Sequence, residues 1–393
     1  VDEPLVARMR GFGETIFAEM TRLAAETDAI NLGQGFPDTD GPRSLLAGAA
    51  RRIEQGVNQY PPGPGRPELR AAVAADRSAR YGLEYDPDTE VYVTVGATAG
   101  ITAAVLGLVE PGDEVVVFEP MYDSYPAAIA MAGGVRRAVT LRPDPSDEGG
   151  RFAFDPDELR AAVGPRTRAV IVNSPHNPTG TVLTEAELGV IAEVCREHDV
   201  IAITDEVYEH LTFDGVAHVP LASLPGMRER TLAVSSAGKT FSVTGWKTGW
   251  VMGPRPLVDA VRTVNQFLTF TANAALQLAV ADALRDEADW VRAQRDALQR
   301  KRDRLSAGLR AAGFRVLRPQ GTYFVMADIR PLGLSEGVDL ARSLPRTAGV
   351  AAVPAQVFYD RPDEGRHLVR FAFCKRDEVL DEAVARLAAL ASA

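Results

Sequence analysis

Short apolar runs recur between positions 90 and 255, at 91–95, 114–118, 168–172, 200–204, 231–235 and 249–252. Their length and β-branched content read as strands buried on both faces rather than as helices. Amphipathic stretches lie between them. Over 184–198, Leu188, Ile191, Val194 and Cys195 recur at helical spacing and share one face. This alternation predicts an α/β fold, with a mostly parallel sheet covered by helices. The Pro- and Asp-rich stretch 142–157 is expected to run over the surface.

After about residue 275 the pattern changes. A long Ala-, Arg- and Asp-rich helical segment runs to 312, strands are expected at 314–317 and 322–328, and a helix from 376 to the end. The division expected is a large domain at 41–280 and a smaller α+β domain built from 1–40 plus 281–393.

Composition narrows the classes. The chain has 393 residues, 46% of them hydrophobic and 24% charged, which suits a globular protein. A net charge of −10 argues against nucleic acid or an anionic membrane as partner. The arginines of 292–304 are interleaved with Asp, Ala and Leu and read as a solvated helix face. Cys195 and Cys374 are far apart in apolar surroundings and read as buried thiols, and the five histidines show no metal-binding spacing. The first residues lack a basic-then-apolar signal and no apolar run reaches membrane-spanning length, so a cytoplasmic protein without a bound metal is expected.

The chemistry gathers where the apolar runs end. One is followed by Asp205-Glu206-Val207-Tyr208, another by Ser236-Ala237-Gly238-Lys239, and an earlier one by Asn173-Ser174-Pro175-His176-Asn177-Pro178-Thr179-Gly180. Open α/β sheets place ligands at such carboxyl ends. Most lysines are solvated surface charges. One at a buried strand end, beside a carboxylate at another, fits pyridoxal phosphate. Lys239 would form an imine with the cofactor aldehyde. Asp205 would keep the pyridine nitrogen protonated, so that the ring accepts electrons from a substrate carbanion. Tyr208 and Asn177 would hydrogen-bond the phenolic oxygen, and Tyr122 would stack on the ring. The plainer alternatives are a helix N-cap for Asp205 and a core aromatic for Tyr122.

A phosphate needs donors. Gly96, Ala97 and Thr98 lead from a strand into an apolar helix, whose first N–H groups and dipole favour an anion, although an ordinary strand-to-helix turn looks the same. Ser236 and Lys247 would add side-chain donors. Lys247 stands between Trp246 and Trp250, which predicts partial burial and hence an anionic partner; the alternative is a surface lysine. Arg370 interrupts an apolar strand, and its guanidinium wants either a substrate carboxylate or an internal salt bridge.

Taken together, these segments resemble the class I aminotransferases of fold type I. The resemblance rests on Asn31-Leu32-Gly33-Gln34-Gly35-Phe36-Pro37-Asp38, Asn58-Gln59-Tyr60, the Asn177 segment, Thr204-Asp205-Glu206-Val207-Tyr208, the Lys239 segment and Arg370. They keep the family's order over almost the whole chain. The most similar branch holds kynurenine/glutamine, methionine and N-succinyldiaminopimelate aminotransferases. The resemblance implies a seven-stranded sheet and a ping-pong transfer of an amino group from an amino acid to a 2-oxo acid such as 2-oxoglutarate. It also implies that the Gly35 backbone lies against the substrate carboxylate. Tyr60 would reach the phosphate of a neighbouring subunit, in a homodimer with shared sites. β- or γ-elimination, or carbon–carbon bond formation, is the alternative on this fold.

Some positions depart from that pattern. Gly238 stands where members often carry serine, Thr98 where the kynurenine branch has tyrosine, and no histidine lies near Thr271. These leave the cofactor site intact and argue against kynurenine. An aromatic wall around Phe36, Phe267 and Phe270 would suit a methionine, glutamine, aromatic or acylated diamino acid. Gly238-Lys239-Thr240 also ends like a phosphate-binding P-loop, but Ala233 stands where that motif needs glycine.

Overall fold

Seven strands form the large sheet: β1 Val91–Val95, β2 Glu114–Glu119, β3 Val135–Thr140, β4 Thr167–Asn173, β5 Ile201–Asp205, β6 Thr231–Ser236 and β7 Thr248–Met252. Their order is β1-β7-β6-β5-β4-β2-β3. Strands β2 to β6 pair in parallel, and β7 runs antiparallel to both β1 and β6. The computed structural model describes residues 4–147 and 149–388. The last five residues of the helix expected to reach the chain end, and the first three of the chain, lie outside the described residues.

Burial explains which strands the hydrophobic pattern reveals. β2 and β5 are buried along their whole length, so nearly every position is apolar or hydrogen-bonded. β3 is an edge strand with a half-buried Arg136 and an exposed Arg137, and no apolar run announces it. Helices cover both faces. α1 (Gly96–Leu108) packs on α3 (Arg255–Leu268), between which in sequence lies α2 (Glu185–Glu197). α2 begins at a capping box, with the Thr184 hydroxyl accepting from the Glu187 N–H, and buries Leu188, Ile191, Val194 and Cys195 as the spacing requires.

The second sheet is antiparallel, with β8 Arg315–Leu317, β9 Phe324–Asp328, β10 Val353–Pro354 and β11 Leu368–Ala372 in the order β8-β9-β11-β10. Near it, Ile30–Asn31 pairs in parallel with Val350–Ala351, which ties the start of the chain to its last third.

Three expectations need correction. The long helical segment is two helices, Ala274–Asp286 and Ala288–Ala311, broken at Glu287. The 142–157 stretch is not all surface: 142–143 pair with 152–153, and Phe152 and Phe154 are buried, because two aromatics outweigh a polar loop's pull to water. Arg302 is also buried rather than solvated, since Asp214 and Asp303 compensate its charge. Both cysteines are buried and free. Among the described residues, no helix is long and apolar enough to cross a membrane.

Candidate active site

Register sets the site. Asn173 pairs with Asp205 across β4 and β5, and Asp205 with Val234 across β5 and β6, so β4 and β5 end together and β6 runs two residues further to Ser236. A cavity of about 420 Å³ opens there, closed from the other side by Phe324 and Arg370 of the small sheet and by Gln34 to Phe36. Gly35, Gly96, Ala97, Thr98, Tyr122, Asn177, Asp205, Tyr208, Ser236, Lys239, Lys247 and Arg370 all border it. Tyr60 does not. It is 82% exposed, with its ring edge-on to Phe270 at 5.2 Å.

Asp205 ends β5 with its carboxylate buried. Its Oδ2 accepts from the Tyr125 hydroxyl at 2.6 Å and its Oδ1 from the Val207 N–H at 3.3 Å. Burial raises its pKa, and the Tyr125 bond opposes this. No helix follows it, so the N-cap alternative is removed. Across β4, the Asn173 amide donates to the Asp205 carbonyl at 2.9 Å, and its Oδ1 accepts from the Asn177 N–H at 2.8 Å.

Lys239 sits on one helical turn, Ala237–Thr240, straight after β6. Its Nζ donates to the Tyr323 hydroxyl at 2.7 Å and lies 5.6 Å from the Tyr208 ring centre. Burial pushes the ammonium down to about 8, against the pull of the Cys374 thiol and Asp205. Burial also raises the Tyr208 hydroxyl. Burial raises the Tyr122 hydroxyl, and the neighbouring Thr98 side chain opposes this.

Arg370 lies in mid-β11, 2% exposed. Its Nη1 donates to Asn177 Oδ1 at 3.0 Å and its Nη2 to the Gly33 carbonyl at 2.9 Å. Its Nε is buried without a partner, and Phe324 stacks 4.0 Å away. Burial pushes the guanidinium down to about 10. No carboxylate among the described residues forms an ion pair with it, so the internal salt bridge is not formed; Asp123 attracts it from a distance.

α1 starts at Gly96 with no side-chain cap, which leaves its first N–H groups open at the cavity. Gly96 has φ +74°, and a Cβ there would stand 3.2 Å from Lys247 Nζ. Lys247 itself is exposed, not partly buried as expected: Trp250 turns into the core while Lys247 takes a left-handed φ of 50° toward the cavity mouth.

Asn173, Tyr125 and Tyr323 are the site residues that the sequence pattern does not single out. Asn173 opens the segment that runs to Gly180 but carries no predicted role, whereas Tyr125 and Tyr323 look like core aromatics.

Beneath the floor, Arg77 bridges Glu206 at 2.7 Å and Glu209 at 2.5 Å, and Ser235 donates to Glu209 at 2.7 Å. His218 Nε2 lies 3.2 Å from Glu206. Glu206, Glu209 and His218 approach one another like metal ligands, but the Arg77 guanidinium already supplies the positive charge there.

The family model for class I and II aminotransferases matches residues 27–387. A Mycobacterium tuberculosis protein named as a probable N-succinyldiaminopimelate aminotransferase is 54% identical, over 98% of this chain and 98% of its own. The methionine aminotransferase of Escherichia coli is 40% identical, over 98% and 99%. The solved structure of the M. tuberculosis N-succinyldiaminopimelate aminotransferase superposes with a TM-score of 0.95, at 55% identity, covering 98% of this chain and 100% of that one.

Proposed function

The chain belongs to the class I and II aminotransferase family, and from that membership we propose that it moves an amino group between N-succinyldiaminopimelate and 2-oxoglutarate with pyridoxal phosphate as cofactor. The identity to the M. tuberculosis relative supports the substrate. The family is typically dependent on pyridoxal phosphate, and its members act on amino acids and 2-oxo acids.

One observation carries the cofactor reading: the cavity is ringed by charges that lack partners of opposite sign. Asp205 is a buried carboxylate with no cation in contact among the described residues, which suits a protonated ring nitrogen. The uncapped start of α1, with Ser236 and Lys247, suits a phosphate. Arg370 has an unpartnered Nε and, among the described residues, no paired anion, which suits a substrate carboxylate. Lys239 lies among them with its amine depressed toward neutrality.

When bound, pyridoxal phosphate supplies an aldehyde carbon for an amine and a ring that takes up the electron pair of a breaking Cα–H bond. The chain's own residues do the rest. Tyr208 and Asn177 would hold the phenolic oxygen and Tyr122 the ring face. Arg370 and the Gly35 backbone would grip the substrate carboxylate and thereby orient Cα–H. Lys239 Nζ would take the Cα proton as base and return it as acid to the carbon on the far side of the amino nitrogen. Residues 41–280 would hold the cofactor, and 1–40 with 281–393 would close on the substrate.

A homodimer with shared sites fits the same surface. Tyr60, Phe267 and Phe270 are 82%, 84% and 54% exposed, an aromatic group that water covers poorly and a second subunit would cover.

Absorbance tests the reading. The holoenzyme should show the visible band of the lysine-bound cofactor. N-succinyldiaminopimelate should bleach it and 2-oxoglutarate restore it. A band that methionine or glutamine bleaches far faster would replace the substrate, and no band after added cofactor would overturn the reading.

A further inference from the structure

The Lys239 amine has a defined resting place that no motif announces. Tyr323 precedes β9, with Thr322 in a left-handed φ of 67° just before it. Its backbone is held from both sides, because Thr322 N–H donates to the Leu211 carbonyl at 2.9 Å and Phe373 N–H donates to the Tyr323 carbonyl at 2.9 Å. Its ring is 1% exposed and wedged edge-on against Tyr208 and Phe324, with centres 5.2 and 4.9 Å away. The hydroxyl is therefore a fixed point behind Lys239, which itself borders the cavity.

That hydroxyl has one proton, and it is already committed: it donates to the Gly35 carbonyl at 2.5 Å. Gly35 can come so near because it has no side chain. A Cβ there would stand 2.4 Å from Phe324 Cζ. Toward Lys239, then, Tyr323 can only accept. The 2.7 Å contact uses a lysine N–H and leaves the nitrogen lone pair free. A tyrosine with an uncommitted proton would donate to a neutral amine and occupy that lone pair.

We propose that Tyr323 is a positioning residue for Lys239, its hydroxyl turned by the Gly35 carbonyl so that it accepts from the freed amine and aims the lone pair at substrate Cα. The inference rests on the proposed function and deepens it. In the step served, the Cα–H bond breaks, the Lys239 lone pair forms the new N–H bond, and the C–H electron pair is left to the bound ring. Tyr323 exchanges no proton. Gly35 gains a second role besides facing the substrate carboxylate, since its carbonyl sets which way the phenol points.

The test is Tyr323→Phe in the holoenzyme, which keeps the ring and its packing. A mispositioned base costs on the order of 10- to 100-fold in rate, so kcat should fall by about that much with KM within about twofold. The isotope effect with Cα-deuterated donor should rise. In the pyridoxamine-loaded holoenzyme, where Lys239 is free, competitive acylation of Lys239 should titrate at lower pH than in wild type, because an ammonium loses more than an amine when an acceptor is removed. Asp205, Cys374, Lys247 and Arg370 also act on Lys239 and Tyr208 lies 5.6 Å from its Nζ, and the substitution alters none of these residues. An intact visible band with wild-type kcat, isotope effect and acylation profile would overturn the proposal, as would a raised KM at unchanged kcat. A wild-type protein without a band would overturn the functional reading, and this inference with it.

Discussion

Tyr125 donates to Asp205 at 2.6 Å, and among the described residues no cation touches that carboxylate. The pair leaves one charge for a ligand to complete. A carboxyl whose folded pKa is raised by burial favours the folded state while protonated, and that advantage is lost as pH rises through its folded pKa. At neutral pH the cofactor-free protein therefore carries a cost at Asp205.

Asp205→Asn should separate function from stability. Activity should fall by about 100-fold or more, in the range seen for lost electrostatic partners. The cofactor-free protein should become more stable at pH 7, on the order of 1 kcal/mol. Denaturant melts at pH 7 and near pH 4 check this, and the gain should shrink at the lower pH. A variant less stable at both would mean that Asp205 is already paired within the protein.

Lys239 gives the pH dependence its sign. Its ammonium is pushed down to about 8 by burial. Below that pH the amine is protonated and cannot take the Cα proton, so the single-turnover rate should rise with pH and level off above about 8. Stopped-flow bleaching of the visible band across pH reads this directly. A midpoint near the ordinary lysine value would mean that water reaches the amine.

What could be read from the chain follows from how residues break a pattern. Lys239 and Asp205 end apolar runs, and Arg370 interrupts one, so their charges stand out against buried neighbours. Tyr125 and Tyr323 do not, because a tyrosine among apolar residues is normal core and its polar tip finds a partner only after folding. Tyr125 meets Asp205 across 80 residues, and Tyr323 meets Lys239 across 84. β3 escaped for the opposite reason: an edge strand is not buried on both sides, so Arg136 and Arg137 are tolerated there. Lys247 was expected to be partly buried because of two flanking tryptophans, but a left-handed φ turns it toward the cavity mouth.

Arg370→Lys tests the carboxylate grip. Lysine keeps the charge and loses the planar fork, and the Gly33 and Asn177 contacts cannot both be kept by one ammonium at that reach. Loss of a buried, hydrogen-bonded charge pair costs about 2 kcal/mol or more, which is about 30-fold in substrate affinity. KM for the amino donor should rise by at least that factor, while binding of the cofactor alone, read by the visible band, stays the same. An unchanged KM would assign the carboxylate to another group.

Arg77 supports the site from below without touching it. Its guanidinium is the cation shared by Glu206 and Glu209, which flank Tyr208 in the turn after β5, and all three side chains are about 2% exposed. Arg77→Met leaves two buried carboxylates facing each other, a change expected to cost about 3–5 kcal/mol. Replacing all three, with Glu206→Gln and Glu209→Gln added, removes the uncompensated charge and should recover much of that loss. Urea denaturation of the single and triple variants makes the comparison. If the triple variant were no better than the single one, the guanidinium would be acting through its packing against Tyr81, 4.7 Å from the ring centre, rather than through charge. If the single variant also loses cofactor while the triple retains it, the turn that carries Asp205 and Tyr208 depends on charge balance beneath it.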